Sequence, residues 1–403
     1  MSDDGKDEDS RKGSIMMEKR IPATWPRVAY LGTYLPRKCG IAAFTYELIT
    51  AIDRYTNPLA PGIVIAVNDE DLDYNYGPRV GYQLKDDEVS SYLEAAEAIN
   101  DSQIDLVNVQ HEYGIFGGRH GEHLLAFLKG VRKPVVTTMH TVMPDPSPHV
   151  RELTDEIIAH SEAVVVMAKA AKAILARDYR VAGDKIHYVP HGVASIKRRE
   201  GLRRLSRHRL GMDGHRILAT FGLISPNKGL EYAIKALPQI IEEHPKTIYL
   251  VLGETHPKVR MRQRESYRQR LLTLSRVVGV RDHIRFLNRY LTLEELTHYL
   301  LATDVYLMPY LNPHQITSST LAHAIGLGKA VVATPFVYAK EVLADGRGIL
   351  VDFRDSAAIA RAVCTLLSDR DLLLETEQCA YEHTRGWIWS RVARQYLKVF
   401  RSA

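Results

Sequence analysis

Short apolar runs rich in β-branched residues alternate along the chain with segments whose apolar positions repeat at a helical period. In the first half these runs predict strands at RVAYLG from Arg27, IVIAV from Ile63, IDLVNVQ from Ile104, PVVTTMH from Pro134 and AVVVMA from Ala163. Intervening segments such as FTYELITAIDRY and SSYLEAAEAIN predict helices. Strands that alternate with helices predict parallel βαβ units and a sheet covered on both faces.

The same alternation starts again after a basic stretch. The second half predicts strands at RILATFG from Arg216, TIYLVLG from Thr247, HIRFL from His283, VYLMPY from Val305, AVVATP from Ala330 and GILVDF from Gly348. The predicted fold class is therefore α/β, with two doubly wound, Rossmann-like domains and a cleft between them.

The pattern also predicts where the parts of the chain begin and end. A charged, disordered tail over residues 1–24 precedes an N-terminal domain over 25–194. A basic linker over 195–214 leads to a C-terminal domain over 215–386, and the segment 387–403 predicts a final amphipathic helix.

Composition narrows the class of protein. With 403 residues, 45% of them hydrophobic and 25% charged, the chain is an ordinary globular sequence long enough for more than one domain. No apolar run approaches the roughly 20 residues of a membrane span, and the first twenty residues lack an apolar signal-peptide core. Three cysteines without metal-type spacing indicate a reducing compartment, so the predicted location is cytoplasmic.

Basic residues cluster although the formal net charge is only +5. The clusters are KRREGLRRLSRHRL from Lys197 and KVRMRQRESYRQR from Lys258. Neither contains the interleaved aromatic residues of a nucleic-acid surface, so no nucleic-acid partner is predicted. Two interpretations stay open: a solvated linker and helix face, or a surface that attracts an anionic substrate or the inner face of an acidic membrane.

Loops that follow strands are the expected places for chemistry in such a fold. No G-x-G-x-x-G or P-loop sequence follows a strand, which counts against a dinucleotide dehydrogenase and a P-loop NTPase. In GTYLPRKCG, Gly40 precedes a helix whose N–H groups can face an anion. In FGLISPNKGLEYAI, Lys228 lies at a helix start, where it can meet a diphosphate as a point charge.

Two histidines lie at the ends of neighbouring predicted strands. His111 is in QHEYG and His140 is in TTMHT. Each is explained by a structural hydrogen bond, but the pair favours a shared polar pocket in which Glu112 orients an imidazole or contacts a hydroxyl. No HExxH or paired-carboxylate spacing supports a metal site here.

The stretch QITSSTLAHAIGLGKAVVATPF from Gln315 combines hydroxyl caps, a helix, a tight turn and a buried strand. Thr317, Ser318 and Ser319 start the helix, and the stretch contains no carboxylate. Hydroxyl groups and free N–H groups at a helix start predict a phosphate-accepting site rather than an acid or a base.

The order of these motifs resembles a known family. GTYLPRKCG, TTMHT, VPHGV, SPNKGLEYAIKAL, VLGETHP and LADGRGILVDF, between Arg27 and the C-terminus, are similar to the retaining glycosyltransferases of family 4, which have the GT-B fold. The resemblance implies that the C-terminal domain binds a nucleotide-sugar donor and that the N-terminal domain binds a glycan or lipid-linked acceptor. It also implies that the last helix crosses back onto the first domain.

The sequence departs from the family pattern at three positions. Leu223 stands where relatives have an arginine that binds the diphosphate together with the lysine. Gln315 and His323 stand where relatives have glutamates that contact the donor sugar and the ribose diol. Glutamine and neutral histidine still form hydrogen bonds, but without the strength that a charge adds. The departures favour an altered donor; the alternative is a catalytically impaired protein that binds a nucleotide sugar or glycan in a regulatory role.

The resemblance implies transfer of a hexosyl group to a hydroxyl with retention of configuration. Lys228, the N–H groups near Thr317, Ser318 and Ser319, and the Gly40 loop would stabilise the leaving diphosphate, and His140 would contact the donor sugar. Gln315 and His323 complete the predicted donor site, and no cofactor or metal is predicted. His111 and Glu112 form the predicted acceptor site. A sugar-nucleotide epimerase or a glucan synthase is a third hypothesis, but PRKCG does not match the Lys-x-Gly-Gly loop of glucan synthases.

Overall fold

A computed structural model describes residues 25–56, 61–69, 74–198 and 200–403. The predicted tail over residues 1–24 lies outside the described residues. Two parallel sheets form the framework, and their strands follow one another along the chain without exchange between sheets.

The first sheet has seven parallel strands in the order β3-β2-β1-β4-β5-β6-β7. These strands are β1 (Val28–Gly32), β2 (Ile63–Asn68), β3 (Val80–Lys85), β4 (Leu106–His111), β5 (Val135–Met139), β6 (Ala163–Val166) and β7 (Ile186–Tyr188). The helices that cover it are α1 (Gly40–Ile52), α2 (Val89–Asn100), α3 (Leu124–Gly130), α4 (Pro148–Ala159) and α5 (Lys169–Asp178).

The second sheet has six parallel strands in the order β10-β9-β8-β11-β12-β13. Helix α6 (Glu200–Arg209) precedes the strands β8 (Arg216–Phe221), β9 (Thr247–Leu252), β10 (Ile284–Leu287), β11 (Val305–Met308), β12 (Ala330–Ala333) and β13 (Ile349–Leu350). The remaining helices are α7 (Leu230–Glu243), α8 (Pro257–Gln263), α9 (Ser266–Val277), α10 (Leu293–Ala302), α11 (Ser319–Gly326), α12 (Val337–Val342), α13 (Ser356–Ser368), α14 (Arg370–His383) and α15 (Trp389–Ser402). None of these described helices has the length and apolar character that a membrane crossing requires.

The central strands are buried on both faces, as their apolar sequences predict. Every residue of β1, β6 and β9 is buried. Helices on both sides of a parallel sheet remove both faces from water, which explains why these strands are continuous apolar runs rather than alternating ones. The predicted two-domain α/β fold is therefore confirmed.

The last helix packs on the first domain. Along α15, Val392, Tyr396 and Phe400 are buried against α1 and the first sheet. The Oη atom of Tyr396 lies 3.3 Å from Oγ1 of Thr138 on β5. The predicted final helix therefore exists, and it crosses from the second domain back to the first.

The structure contains elements that the apolar pattern missed. Strand β3 lies at a sheet edge and alternates exposed and half-buried positions, so its apolar signal is weak, and β7 has only three residues. Within the predicted basic linker, residues 200–209 form α6. The arginines that indicated a solvated linker instead pair with acids of the second domain, as described below.

Candidate functional site

The carboxyl ends of the two sheets face each other, and several contacts join the two halves across the cleft. The Thr317 hydroxyl, which precedes α11, donates to the main-chain oxygen of His140 after β5 at 2.7 Å. Lys38 Nζ lies 3.1 Å from Glu254 Oε2, which follows β9. Ligands of doubly wound domains bind at such strand ends, so this is the candidate site.

Two helix N-termini meet in the cleft. Gly40 is the first residue of α1, and Ser319 is the first residue of α11. A Cβ atom built on Gly40 would lie 3.7 Å from Oγ of Ser319, so the two helix starts come into van der Waals range. Free N–H groups and the helix dipole make each N-terminus favourable for an anion. Their convergence gives one place where both can act on the same phosphate group.

The predicted hydroxyl caps of α11 have different roles. The Ser318 hydroxyl is the N-cap and accepts the N–H of Leu321 at 3.2 Å. The Thr317 hydroxyl makes the bond to His140, and the side-chain amide of Gln315 donates to the main-chain oxygen of Thr317 at 3.0 Å. Among these residues, Ser319 is the one whose hydroxyl faces the start of α1.

Lys228 lies at the carboxyl end of the second sheet, in the loop after β8, and a tyrosine holds its side chain. Its Nζ donates to the hydroxyl of Tyr310 at 2.6 Å and lies 3.8 Å from the centre of the same ring. The Tyr310 hydroxyl is also 3.0 Å from Oγ1 of Thr320 on α11. These contacts place the ammonium group beside the start of α11, where an anion would meet both charge and dipole.

The residue after Lys228 must be glycine. Gly229 has φ of +60°, and a Cβ atom there would lie 2.0 Å from the main-chain oxygen of Pro309. The left-handed conformation and the close approach of this loop therefore both depend on the missing side chain. The loop fixes the direction in which Lys228 leaves the backbone.

His140 is buried in a neutral environment. Its Nε2 lies 2.9 Å from Oε1 of Gln110, and its ring packs edge-on against Phe44 with centroids 4.9 Å apart. Burial, and next the neighbouring His191, lower the pKa of His140 to about 3. A neutral imidazole that binds an amide is suited to a polar contact rather than to proton transfer.

The side chain of His111 makes no hydrogen bond to that of His140, which bonds Gln110 instead. The His111 ring is fully buried beside Tyr113 and Phe116, and neither ring nitrogen has a hydrogen-bond partner among the described residues. Burial lowers the pKa of His111 to about 4. Only its main-chain oxygen meets His140, from whose N–H it accepts a hydrogen bond at 2.9 Å. The ring is therefore fully buried, and a role of His111 in the acceptor site stays a prediction.

Glu112 lies on the N-terminal side of the cleft. Its Oε2 accepts a hydrogen bond from the Thr141 hydroxyl at 2.5 Å. Burial raises the pKa of this carboxyl, while the bond from Thr141 opposes the shift. Across the cleft, Lys258 Nζ donates to the main-chain oxygen of Gly114 at 2.9 Å, so both domains contribute polar groups near Glu112.

His323 lies close to the carboxyl group of Glu47, which the sequence analysis did not indicate. Its Nε2 lies 3.8 Å from Oε2 of Glu47 on α1, and both side chains are about one tenth exposed. The indole N–H of Trp389 donates to the other oxygen of Glu47 at 3.0 Å. Burial raises the pKa of Glu47 to about 8, and burial lowers that of His323 to about 3. At neutral pH the pair is therefore uncharged.

Three residues of the site were not indicated by the sequence, and two of them, Glu47 and Trp389, reach it from parts of the chain far from α11. Tyr310, Glu47 and Trp389 are ordinary residues of a strand end, a helix and a terminal helix. Only the position of Tyr310 just after a strand could have indicated it.

The two facing sheets with a crossing helix define the GT-B class of fold. The structure of Anabaena HepE in complex with UDP-glucose superposes with a TM-score of 0.71 at 15% identity, over 93% of this chain and 100% of that chain. Sucrose-phosphate synthase from Thermosynechococcus elongatus has a TM-score of 0.71 at 17% identity, over 93% and 98%. At these identities the likeness concerns the fold.

Family models identify the sequence group more closely. Residues 63–195 match the model described as Glycosyltransferase Family 4. Residues 215–369 match the model described as Glycosyl transferases group 1, and together the two regions cover more than half of the chain. The chain therefore belongs to the family 4 glycosyltransferases, as its motifs predict.

Curated relatives carry related names. D-inositol 3-phosphate glycosyltransferase from Corynebacterium efficiens is 27% identical over 288 residues, which are 68% of this chain and 66% of that protein. Phosphatidyl-myo-inositol mannosyltransferase from Mycobacterium leprae is 31% identical over 179 residues, 44% of each chain. The chain thus spans just under two thirds of the length of the first of these relatives and less than half of the other.

Proposed function

We propose that this protein transfers a hexosyl group from a nucleoside-diphosphate sugar to a hydroxyl group and retains the anomeric configuration. The observation that carries the proposal is the meeting of the α1 and α11 N-termini beside Lys228. Two helix dipoles and an ammonium group at one point suit a group that gains negative charge, as a leaving diphosphate does.

The proposed mechanism is electrostatic. As the glycosidic bond to the diphosphate breaks, Lys228 and the N–H groups at Gly40 and Ser319 stabilise the charge that collects on the phosphate oxygens. The acceptor hydroxyl then attacks from the same face, and its proton passes to the leaving phosphate. No carboxylate base is needed for this step, and the cationic and N–H groups take the part of a metal ion.

The side chains around this centre suggest the remaining contacts. His140, neutral and held by Gln110, would contact the donor sugar, and Gln315 would contact its hydroxyl groups. His323 would meet the nucleotide ribose. Glu112 lies on the N-terminal side, where the acceptor is expected, but the buried ring of His111 would only support the strand end.

The comparisons suggest which substrates to test. A solved neighbour contains UDP-glucose, and the first curated relatives are named for D-inositol 3-phosphate. We infer a UDP-hexose as donor and a polar cyclitol, glycan or lipid-linked hydroxyl as acceptor. The cytoplasmic location and a peripheral contact with the membrane stay predictions from the sequence.

The proposal is tested with a panel of nucleotide sugars and acceptors, including inositol 3-phosphate and a lipid-linked glycan. Release of nucleoside diphosphate that depends on the acceptor, with a product of unchanged anomeric configuration by NMR, supports it. Binding of a donor without release of diphosphate in any mixture would favour the regulatory alternative.

A further inference from the structure

A cavity of about 1300 Å³ opens between α6 and α14, at the end of the second sheet that lies opposite the cleft. Its lining includes Arg216 at the start of β8, Asp304 just before β11 and Lys329 just before β12. Because these are the amino ends of parallel strands, the cavity is separate from the donor site at the carboxyl ends.

The floor of the cavity holds a network of buried charges. The side chains of Glu377 and Asp304 are 1% and 2% exposed. Arg198 Nη2 lies 2.8 Å from Glu377, Arg207 Nη2 lies 2.5 Å from Asp304, and Arg203 pairs with both acids. Three guanidinium groups thus share two carboxylates, and the network keeps a positive charge.

Further cations surround this network. Lys329 Nζ is buried and donates to the main-chain oxygens of Leu301 and Thr303, both at 3.2 Å. Burial, and next the charge of Arg203, lower the pKa of Lys329 to about 7, while Glu377 and Asp304 oppose the shift. In all, eight lysines and arginines line the cavity against three carboxylates.

Three of the cations at the rim are exposed: Lys197, Arg204 and Arg216. None of the three makes an ion pair with a side chain that the structure describes. Guanidinium groups bind phosphate oxygens through paired, charge-assisted hydrogen bonds. The arginines of the floor already use their donors on Glu377 and Asp304, whereas those of the rim can bind a ligand.

We propose that this cavity binds a small polyanion that carries several phosphate groups. Its volume exceeds the roughly 300–1,000 Å³ of ordinary ligand pockets, so a nucleotide-sized molecule fits. A flat membrane surface fits less well because the arginines of the floor are recessed and already paired. The site does not depend on the proposed transferase activity.

The test is a calorimetric titration of the full chain with tripolyphosphate at fixed ionic strength. The variant Arg204→Ala/Arg216→Ala should weaken binding at least about tenfold, since each charge-assisted contact is worth that much. Arg209→Ala, which removes an exposed arginine of α6 that does not line the cavity, should stay within about twofold. Lys197→Ala provides a second rim variant in case the double variant folds poorly.

The variant Lys228→Ala distinguishes binding in the cavity from binding in the cleft. Because Lys228 does not line the cavity, this variant should still bind tripolyphosphate. Unchanged affinity in the Arg204→Ala/Arg216→Ala variant, or binding that only Lys228→Ala abolishes, would overturn the proposal. So would flotation with phosphatidylserine vesicles that requires Arg204 and Arg216 while tripolyphosphate fails to bind. Nucleoside diphosphate release by the double variant should equal that of the wild type, so the two proposals fail independently.

Discussion

The carboxyl group of Glu47 lies 3.8 Å from the imidazole of His323, on the opposite side of the cleft. Relatives that the sequence resembles have a glutamate at the position of His323. Here a carboxyl group is still present beside that position, but α1 supplies it, and Trp389 of the crossing helix orients it. The pair therefore ties together α1, α11 and α15.

The charge state of Glu47 gives a first prediction. Its pKa is raised to about 8 in the fold from 4.5, so the folded state holds a proton that the unfolded state releases between pH 4.5 and 8. Stability should therefore fall as the pH rises through this window, by roughly 1.4 kcal/mol for each unit of pKa difference. Glu47→Gln mimics the neutral form and still accepts from Trp389.

Denaturant unfolding of wild type and Glu47→Gln between pH 4.5 and 8 measures this effect. We expect the variant to gain a few kcal/mol over the wild type across the window, and to match it near pH 4.5. Parallel pH profiles for the two proteins would show that Glu47 ionises normally in the fold.

A second prediction concerns restoring the family residue. His323→Glu places a second buried carboxyl group beside Glu47, which should cost roughly 3 kcal/mol at pH 7 because two such groups must share one proton and no cation that the structure describes faces the negative charge that remains. In the double variant His323→Glu/Glu47→Gln, the amide can donate to the new carboxylate, and most of the loss should be recovered. A thermodynamic cycle of the four proteins measures the coupling, and strictly additive losses would contradict it.

A third prediction tests Lys228. Lys228→Ala removes the ammonium group that Tyr310 holds beside the start of α11, and turnover of nucleotide sugar should fall roughly 100-fold or more. Lys235→Ala, which removes an exposed lysine of α7, is the matched control and should leave turnover unchanged. Equal effects of the two substitutions would remove the assignment to the diphosphate.

A fourth prediction concerns His111. Its pKa is lowered from 6.5 to about 4, so the unfolded state binds an extra proton between these values and stability falls as the pH drops from 6.5 to 4. His111→Leu removes this loss, which amounts to roughly 2–3 kcal/mol at the acid end. Unfolding at pH 4.5 and pH 7 measures it. A large increase in the acceptor KM of His111→Leu would instead indicate that His111 contributes to the acceptor site.

The sequence predicts the two sheets well because their buried strands have a clear apolar pattern. Continuous apolar runs follow from burial on both faces, and turns with glycine mark the loops that carry Gly40 and Lys228. Edge strand β3 and the short β7 lack that burial, so no comparable signal exists for them.

The site was predicted less completely, for a different reason. Spacing along the chain indicates Gln315 and His323 but cannot show that Glu47, from a helix of the other domain, lies beside His323. The basic stretch allowed a solvated linker, but Arg203 and Arg207 of α6 pair with Glu377 and Asp304. The sequence alone does not show that these acids lie beside the arginines.

Acceptor-dependent release of nucleoside diphosphate by the purified full chain tests the proposed glycosyl transfer most directly. With a UDP-hexose and an acceptor hydroxyl, the wild type should release diphosphate and form a product with the donor's anomeric configuration, and Lys228→Ala should not. Donor binding with no release from any nucleotide sugar would contradict the proposed transfer, and equal release by Lys228→Ala would contradict the role of Lys228.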